Sequence, residues 1–237
     1  MICSRRKTRA GTVCRLLLAL AVLPAAIMAS ADTVEVKRIV VNAGTAAATF
    51  PENSYLVCHP QSGSAVLIDP GADDERFAAL ASEQGVQVRM ILNTHGHLDH
   101  SAGDRSCRER FSAKLAAPAA DRPLYAENGS AAAVDLWLQD GQTLVCGGFT
   151  IQVLATPGHT PGSACFLIGG QLFSGDTLFA GGIGRVPSGR DEKKALQSLV
   201  GVIRRRLLTL PADTPVWPGH GRPTSIGEEA LLNPFLR

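Results

Sequence analysis

The sequence predicts an α/β fold in one domain, and three features of the chain carry that prediction. Both halves contain several short apolar runs bounded by Gly, Pro, Asn or Asp, the pattern of buried strands and their turns. Each half also has a stretch with helical spacing of its apolar residues. No linker or low-complexity tract separates the halves, and the roughly 206 residues that follow the N-terminal segment suffice for one substantial core.

Taken in order, strands are expected at 34–40, 54–58 and 65–68, the last two joined by the Gln61-Ser62-Gly63 turn. Asp69-Pro70-Gly71 ends this unit. Residues 73–84 have helical periodicity, with Phe77, Leu80 and Ala81 on one face. Residues 88–93 are mostly apolar and free of Gly and Pro, which reads as a buried strand, and 101–111 as a helix beyond a loop. The second half repeats the scheme with strands at 143–145, 150–154, 164–168 and 172–173, the last two turning at Gly169-Gly170. A Gly-rich loop then runs from Asp176 through Gly189, followed by an amphipathic helix at 192–208 and a short strand at 214–217.

The loop after residue 93 reads Thr94-His95-Gly96-His97-Leu98-Asp99-His100. Residues two apart in an extended segment point the same way, so His95 and His97 can reach one ion from one side. Asp99 and His100 fall where the chain turns into a helix and aim elsewhere, so the loop is suited to two neighbouring ions. His159 and His220 each lie in a Gly/Pro turn after an apolar stretch, in Pro157-Gly158-His159-Thr160-Pro161-Gly162 and Pro218-Gly219-His220-Gly221. Asp176 ends one apolar run and precedes another, and a desolvated carboxylate there needs a partner such as a pair of cations. His59, in Val57-Cys58-His59-Pro60, lacks such company and is expected at the surface. Asp69, at a strand end, either orients a ligand histidine or forms an Asx turn before Pro70.

The set His95-x-His97-x-Asp99-His100, His159, Asp176 and His220 resembles the signature of the metallo-β-lactamase-fold hydrolases. Within that superfamily, residues 175–185 (Gly-Asp-Thr-Leu-Phe-Ala-Gly-Gly-Ile-Gly-Arg) and the closing Leu232-Asn233-Pro234-Phe235-Leu236 look most like the small glyoxalase II-like (hydroxyacylglutathione hydrolase-like) branch. The resemblance implies a four-layer αββα sandwich with the site in loops along one edge of the two sheets. It implies a first metal position at His95, His97 and His159, a second at Asp99, His100 and His220, and Asp176 between them, with Asp99 also catalytic. Imidazole and carboxylate ligands without thiolate suit two Zn²⁺ per chain, with Fe or Mn as other occupants. Such a pair would supply a metal-bound hydroxide to attack a thioester or related carbonyl. The Gly158 to Ser163 stretch is no nucleophile elbow, which needs its Ser between the glycines. The alternatives are a persulfide dioxygenase-like oxidoreductase with one iron on His95, His159 and Asp176, an exported β-lactamase, and a metal-binding module without catalysis.

Residues 1–31 read as a cleavable secretory signal: Arg5, Arg6, Lys7, Arg9 and Arg15 precede the apolar stretch 16–28, and Ala29-Ser30-Ala31 is a small-residue cleavage site. A periplasmic or secreted address is expected, and residues 32–237 form the hydrolase domain. The formal charge of +2 belongs to that segment; without its five basic residues, 18 Lys and Arg face 21 Asp and Glu. A nucleic-acid footprint is therefore not expected, nor a membrane partner beyond the signal, and the partner is a small-molecule substrate. Arg204-Arg205-Arg206 reads as the solvated last turn of a helix. Cys58, Cys107, Cys146 and Cys165 permit disulfides without forcing any, and Cys58 and Cys165 sit in apolar runs suited to buried free thiols. The chain stops at Arg237, so no basic C-terminal region of the kind that grips glutathione in larger glyoxalase II enzymes is expected. Arg185, Arg190 and Arg222 are the candidate anion holders.

Overall fold

In the computed structural model, which describes residues 33–45 and 48–237, the chain forms two six-stranded sheets. The segment read as a signal lies outside these residues. The first sheet takes its strands in chain order: β1 (Glu35–Thr45), β2 (Ala48–His59), β3 (Ser64–Ile68), β4 (Gln87–Leu92), β5 (Lys114–Pro118) and β6 (Leu136–Leu138). From β3 onward the pairing is parallel, so each return needs a crossover. These are α1 (Arg76–Glu83), then α2 (Leu98–Ser101) with α3 (Asp104–Phe111), then α4 (Arg122–Glu127).

The second sheet contains β7 (Thr143–Cys146), β8 (Phe149–Ala155), β9 (Ala164–Ile168), β10 (Gln171–Gly175), β13 (Pro215–Pro218) and β14 (Thr224–Ser225), in the order β14-β13-β10-β9-β8-β7. The short β11 (Leu178–Phe179) and β12 (Gly182–Ile183) form a separate ribbon, and α5 (Glu192–Arg206) and α6 (Ile226–Leu232) complete the chain. No helix among the described residues is long and apolar enough to cross a membrane.

Period-two alternation assigns the faces. Tyr55, Val57, Val66, Ile68, Met90 and Leu92 of the first sheet share one core with Phe149, Ile151, Val153, Phe166 and Phe173 of the second. Their neighbours Leu56, Cys58, Leu67 and Ile91 face outward onto Phe77 and Ala81 of α1 and Cys107 of α3. The outer face of the second sheet, with Cys165, Leu172 and Val216, packs on Leu199 and Ile203 of α5 and Ile226 of α6. Helix, sheet, sheet, helix is the expected four-layer sandwich.

Several expectations change. β1 runs past Val40 because the alternation continues, with Val41 and Ala43 buried and Val40 and Asn42 exposed. The helix expected at 101–111 is two pieces, parted where the Gly103 amide donates to the Pro70 carbonyl at 2.8 Å. His59 is buried, not at the surface: its ring lies edge-on to Phe149 at 5.4 Å and its Nδ1 accepts from the Ser62 amide. The four described cysteines are free thiols, with Cys58, Cys107 and Cys165 buried.

The topology fixes where the loops gather. β8 and β10 are both antiparallel to β9, and β13 is parallel to β10, so the C-terminal ends of β8, β10 and β13 lie along one edge. The Ala164 amide donates to the Thr94 carbonyl at 2.9 Å, which ties that edge to the end of β4.

Candidate metal centre

The seven residues singled out in the sequence all come to this edge. β4 delivers His95 and His97, and α2 carries Asp99 and His100. The turn after β8 brings His159, the end of β10 Asp176, and the end of β13 His220. Their ligand atoms form three groups, His95-His97-His159, His95-His100-Asp176 and Asp99-His100-His220, each with its atoms within 4.8 Å of one another. Asp176 lies between the outer two: one oxygen is 3.4 Å from His100 Nε2, the other 3.5 Å from His159 Nε2 and 3.6 Å from His220 Nε2. A Cβ at Gly219 would fall on the Asp176 carboxylate and the His100 ring, so the turn before His220 has room only for glycine.

The partners of the far ring nitrogens fix the tautomers. His100 Nδ1 faces Asp69 Oδ2 at 3.0 Å, His159 Nδ1 the Arg185 carbonyl at 2.8 Å, and His220 Nδ1 the Pro51 carbonyl at 2.7 Å, so each must carry its proton there. Thr94 donates its hydroxyl to Asp69 and therefore accepts from His95 Nδ1. Four Nε2 atoms are thereby turned toward the centre. His97 presents Nδ1 instead, 3.1 Å from His95 Nε2 and 3.0 Å from His159 Nε2. Lone pairs that converge so closely repel unless a proton or cation lies between them.

Charge and burial are set against each other here. Burial pushes His95 well below the ordinary histidine range, and the neighbouring His100 adds to this. Burial acts the same way on His100, but the carboxylates of Asp176 and Asp69 outweigh it and pull that ring well above the range. Asp99 is held at about 2, because the hydrogen bond with His220 and the charge of His100 overcome its burial. Asp176 is held lower still, against its burial, chiefly by His100. Two atoms of this cluster, His100 Nε2 and Asp176 Oδ1, are buried without a hydrogen-bond partner among the described residues. Buried polar atoms are rarely left so. A divalent cation bound by imidazole and carboxylate would satisfy both, so the donor set fits the ions expected from the sequence.

The sequence profile of the metallo-β-lactamase superfamily matches residues 47–220. The chain belongs to the metallo-β-lactamase superfamily. It is an enzyme of that superfamily, and relatives can be named. The hydroxyacylglutathione hydrolase GloC of Haemophilus influenzae is 33% identical over 202 residues, covering 79% of this chain and 93% of that protein. The human mitochondrial persulfide dioxygenase ETHE1 is 31% identical over 190 residues, covering 77% of this chain and 70% of that protein. The crystal structure of TTHA1623 in a di-iron-bound form superposes with a TM-score of 0.66 at 37% identity, covering 84% of this chain and 100% of that one.

Beside the metallo-β-lactamase-fold cluster opens a cavity of about 610 Å³, lined by His97, Asp99, His159, Asp176 and His220 on one side and by Phe50, Pro51, Phe179 and Arg185 on the other. Of the candidate anion holders only Arg185 lines it. Arg222 is engaged instead by Glu228, and Arg190 lies away from the cavity. Asp69 is no mere turn former: it holds the Thr94 amide and hydroxyl, each at 2.7 Å, as well as His100.

Sequence reasoning missed four polar supports. Glu52, pushed well up by burial, lies 3.8 Å from His100. Asn53 donates to the Pro218 and Gly221 carbonyls and so grips the His220 turn. Buried Glu229 accepts from the Gly181 amide and from Asn233, whose amide also reaches the Gly182 carbonyl, so α6 pins the Gly-rich loop. Buried Asp121 is the fourth. The only hint was Asn233 itself, in the closing motif.

Proposed function

We propose that this enzyme is a dinuclear metal-dependent hydrolase that cleaves a thioester or related carbonyl compound, in the manner of glyoxalase II. The carrying observation is the convergence of five imidazoles and two carboxylates, with His100 Nε2 and Asp176 Oδ1 buried, 3.4 Å apart and without a hydrogen bond among the described residues. The relation to GloC supports the thioester class, and the absence of thiolate from the ligand set supports Zn²⁺ or Fe as the ions.

His95, His97 and His159 would hold one ion, Asp99, His100 and His220 the other, with Asp176 reaching both. Ions held there would supply an activated water near neutral pH and a Lewis acid for the substrate carbonyl. The chain's own part is orientation and proton handling. Asp99, ionised and lining the cavity, can orient water at Oδ2 and accept its proton. Phe50, Pro51 and Phe179 make an apolar wall that keeps bulk water from the acyl group, and Arg185, exposed and without an ion pair among the described residues, offers a cation to the anionic end of a substrate or to a departing thiolate.

A second reading is favoured by the relation to ETHE1: one iron on His95, His159 and Asp176, oxidising a persulfide. Elemental analysis of the purified protein beside a thioester panel that includes S-lactoylglutathione, an oxygen-uptake assay with a persulfide, and a nitrocefin assay separates these. Two ions with thioester cleavage is the expected result. One iron with oxygen uptake would replace it with the oxidative reading, and rapid nitrocefin turnover with a β-lactamase. Export, with removal of residues 1–31, belongs to the same proposal; N-terminal sequencing of the protein from a periplasmic fraction should begin at Asp32.

A further inference from the structure

Asp121 closes a short 3-10 turn after β5, at the N-cap position of α4, yet its side chain makes no capping bond to that helix. It turns the other way and is fully buried. Oδ2 accepts from the Gly96 amide at 2.9 Å and from the Thr160 hydroxyl at 2.7 Å, while Oδ1 accepts from the Gly162 amide at 2.6 Å. Gly96 stands between His95 and His97, and Thr160 follows His159. One carboxylate therefore bonds both loops that carry the three-imidazole group, across sequence separations of 25 and 39 residues.

The surroundings are built for this contact. Asn128, just past α4, donates to the Gly96 carbonyl at 3.0 Å, and the Tyr125 hydroxyl to the His95 carbonyl at 3.3 Å, so the Gly96 peptide is held on both sides. A Cβ on Gly162 would lie 2.5 Å from the Asp121 carboxyl carbon, so a side chain there would displace the carboxylate. Thr160 is locked in turn by Ser163, whose hydroxyl lies 2.8 Å from its own and accepts from its amide. Among the described residues, Asp121 itself neither lines the cavity nor hydrogen-bonds to an imidazole.

We propose that Asp121 is a positioning residue that sets the spacing between the His95/His97 loop and the His159 loop, and so governs the affinity of the three-imidazole metal position without touching the ion. The role rests on the metal centre proposed above. An Asn at 121 keeps one acceptor oxygen and turns an NH₂ toward a former donor, so either the Gly96 amide or the Gly162 amide loses its acceptor and the brace is weakened on that side. The side that holds Asp99, His100 and His220 is braced instead by Asp69, Asn53 and the Pro51 carbonyl, and should keep its ion.

The test is competitive titration of Zn²⁺ and Co²⁺ against a chromophoric chelator, on the full chain, for wild type, Asp121→Asn and Thr160→Val. A core variant far from the loops, Phe77→Leu, controls for loss of stability. Wild type should bind two ions. In Asp121→Asn the affinity for one should fall about 10- to 100-fold, the range typical when the groups that orient metal ligands are removed, with the other changed less than about threefold. At one equivalent of Co²⁺ its absorption spectrum should match that of His97→Ala and not that of His220→Ala. Thr160→Val, which keeps both amide bonds, should show a smaller change in the same ion, and it decides the matter if Asp121→Asn does not fold. Two wild-type affinities in these variants, or a loss shared equally by both ions as in Phe77→Leu at matched Tm, would overturn the role. A wild-type chain that takes up no divalent ion would overturn the metal centre itself, and this role with it.

Discussion

The two halves of the molecule hold their histidines by different means. In the first half, His100 is fixed by the buried carboxylate of Asp69, and His95 by Thr94, whose hydroxyl leans on the same carboxylate. In the second half, His159 and His220 are fixed by backbone carbonyls of Arg185 and Pro51, in segments that border the open cavity. A carboxylate anchor is a single side chain that one substitution removes. A carbonyl anchor survives any side-chain change that leaves the loop in place. The first half is thus rigid and vulnerable at a few buried acids, while the second combines ligand support with a surface free to vary toward substrate.

Substitutions can break that contrast. The largest effect is expected where the halves share an ion: His97→Ala or Asp176→Ala should abolish turnover of any substrate and leave a folded, metal-depleted protein, as checked by assay, elemental analysis and circular dichroism. Next comes Asp69→Ala, which leaves the Thr94 amide and hydroxyl and His100 without their acceptor. Removing one partner of a buried pair costs about 3–5 kcal/mol, and loss of a group that orients a ligand about 10- to 100-fold in metal affinity; denaturant unfolding and metal titration would show both.

The mixed charge of the first half also predicts an acid limit for the metal-free protein. Asp99 has its folded pKa depressed to about 2, so its contribution is present above the ordinary carboxylate range and lost as pH falls through about 2. Thermal unfolding of the metal-free chain between about pH 5 and pH 2 should show this decline, by about 2 kcal/mol at most, and Asp99→Asn should flatten it.

The smallest effects on the centre are expected from the carbonyl-anchored side. Arg185→Ala should leave metal content and stability at wild-type values, because His159 uses only the carbonyl there, while KM for an anionic thioester rises several-fold. Arg222→Ala should leave the unfolding midpoint at its wild-type value, since its ion pair is exposed. Loss of metal in Arg185→Ala would erase the contrast between the halves.

The same contrast explains what could be read in the chain. His95, His97, Asp99 and His100 are legible because one loop carries them within six positions, and the strands beside them because apolar runs between turn residues have few other readings. His159, Asp176 and His220 were found by their turn residues together with the family resemblance. Asp121 and Asn53 were not found, because a single acid or amide whose partners lie 25 to 168 residues away leaves no local pattern, and Glu229 was missed because the loop it pins lies 48 residues away. His59 was misplaced for a related reason: its burial depends on Phe149, on a strand of the other sheet. The break in the 101–111 helix comes likewise from a distant carbonyl, that of Pro70.

Metal content of the purified protein, measured after dialysis against buffer free of chelator, bears most directly on the central claim. Two divalent ions per chain, of which both are lost in Asp176→Ala, is the result expected of a carboxylate that reaches both positions. A single ion, retained in the absence of His220 or Asp99, would contradict the dinuclear centre, and a protein that holds none at saturating Zn²⁺ or Fe²⁺ would remove its chemical basis.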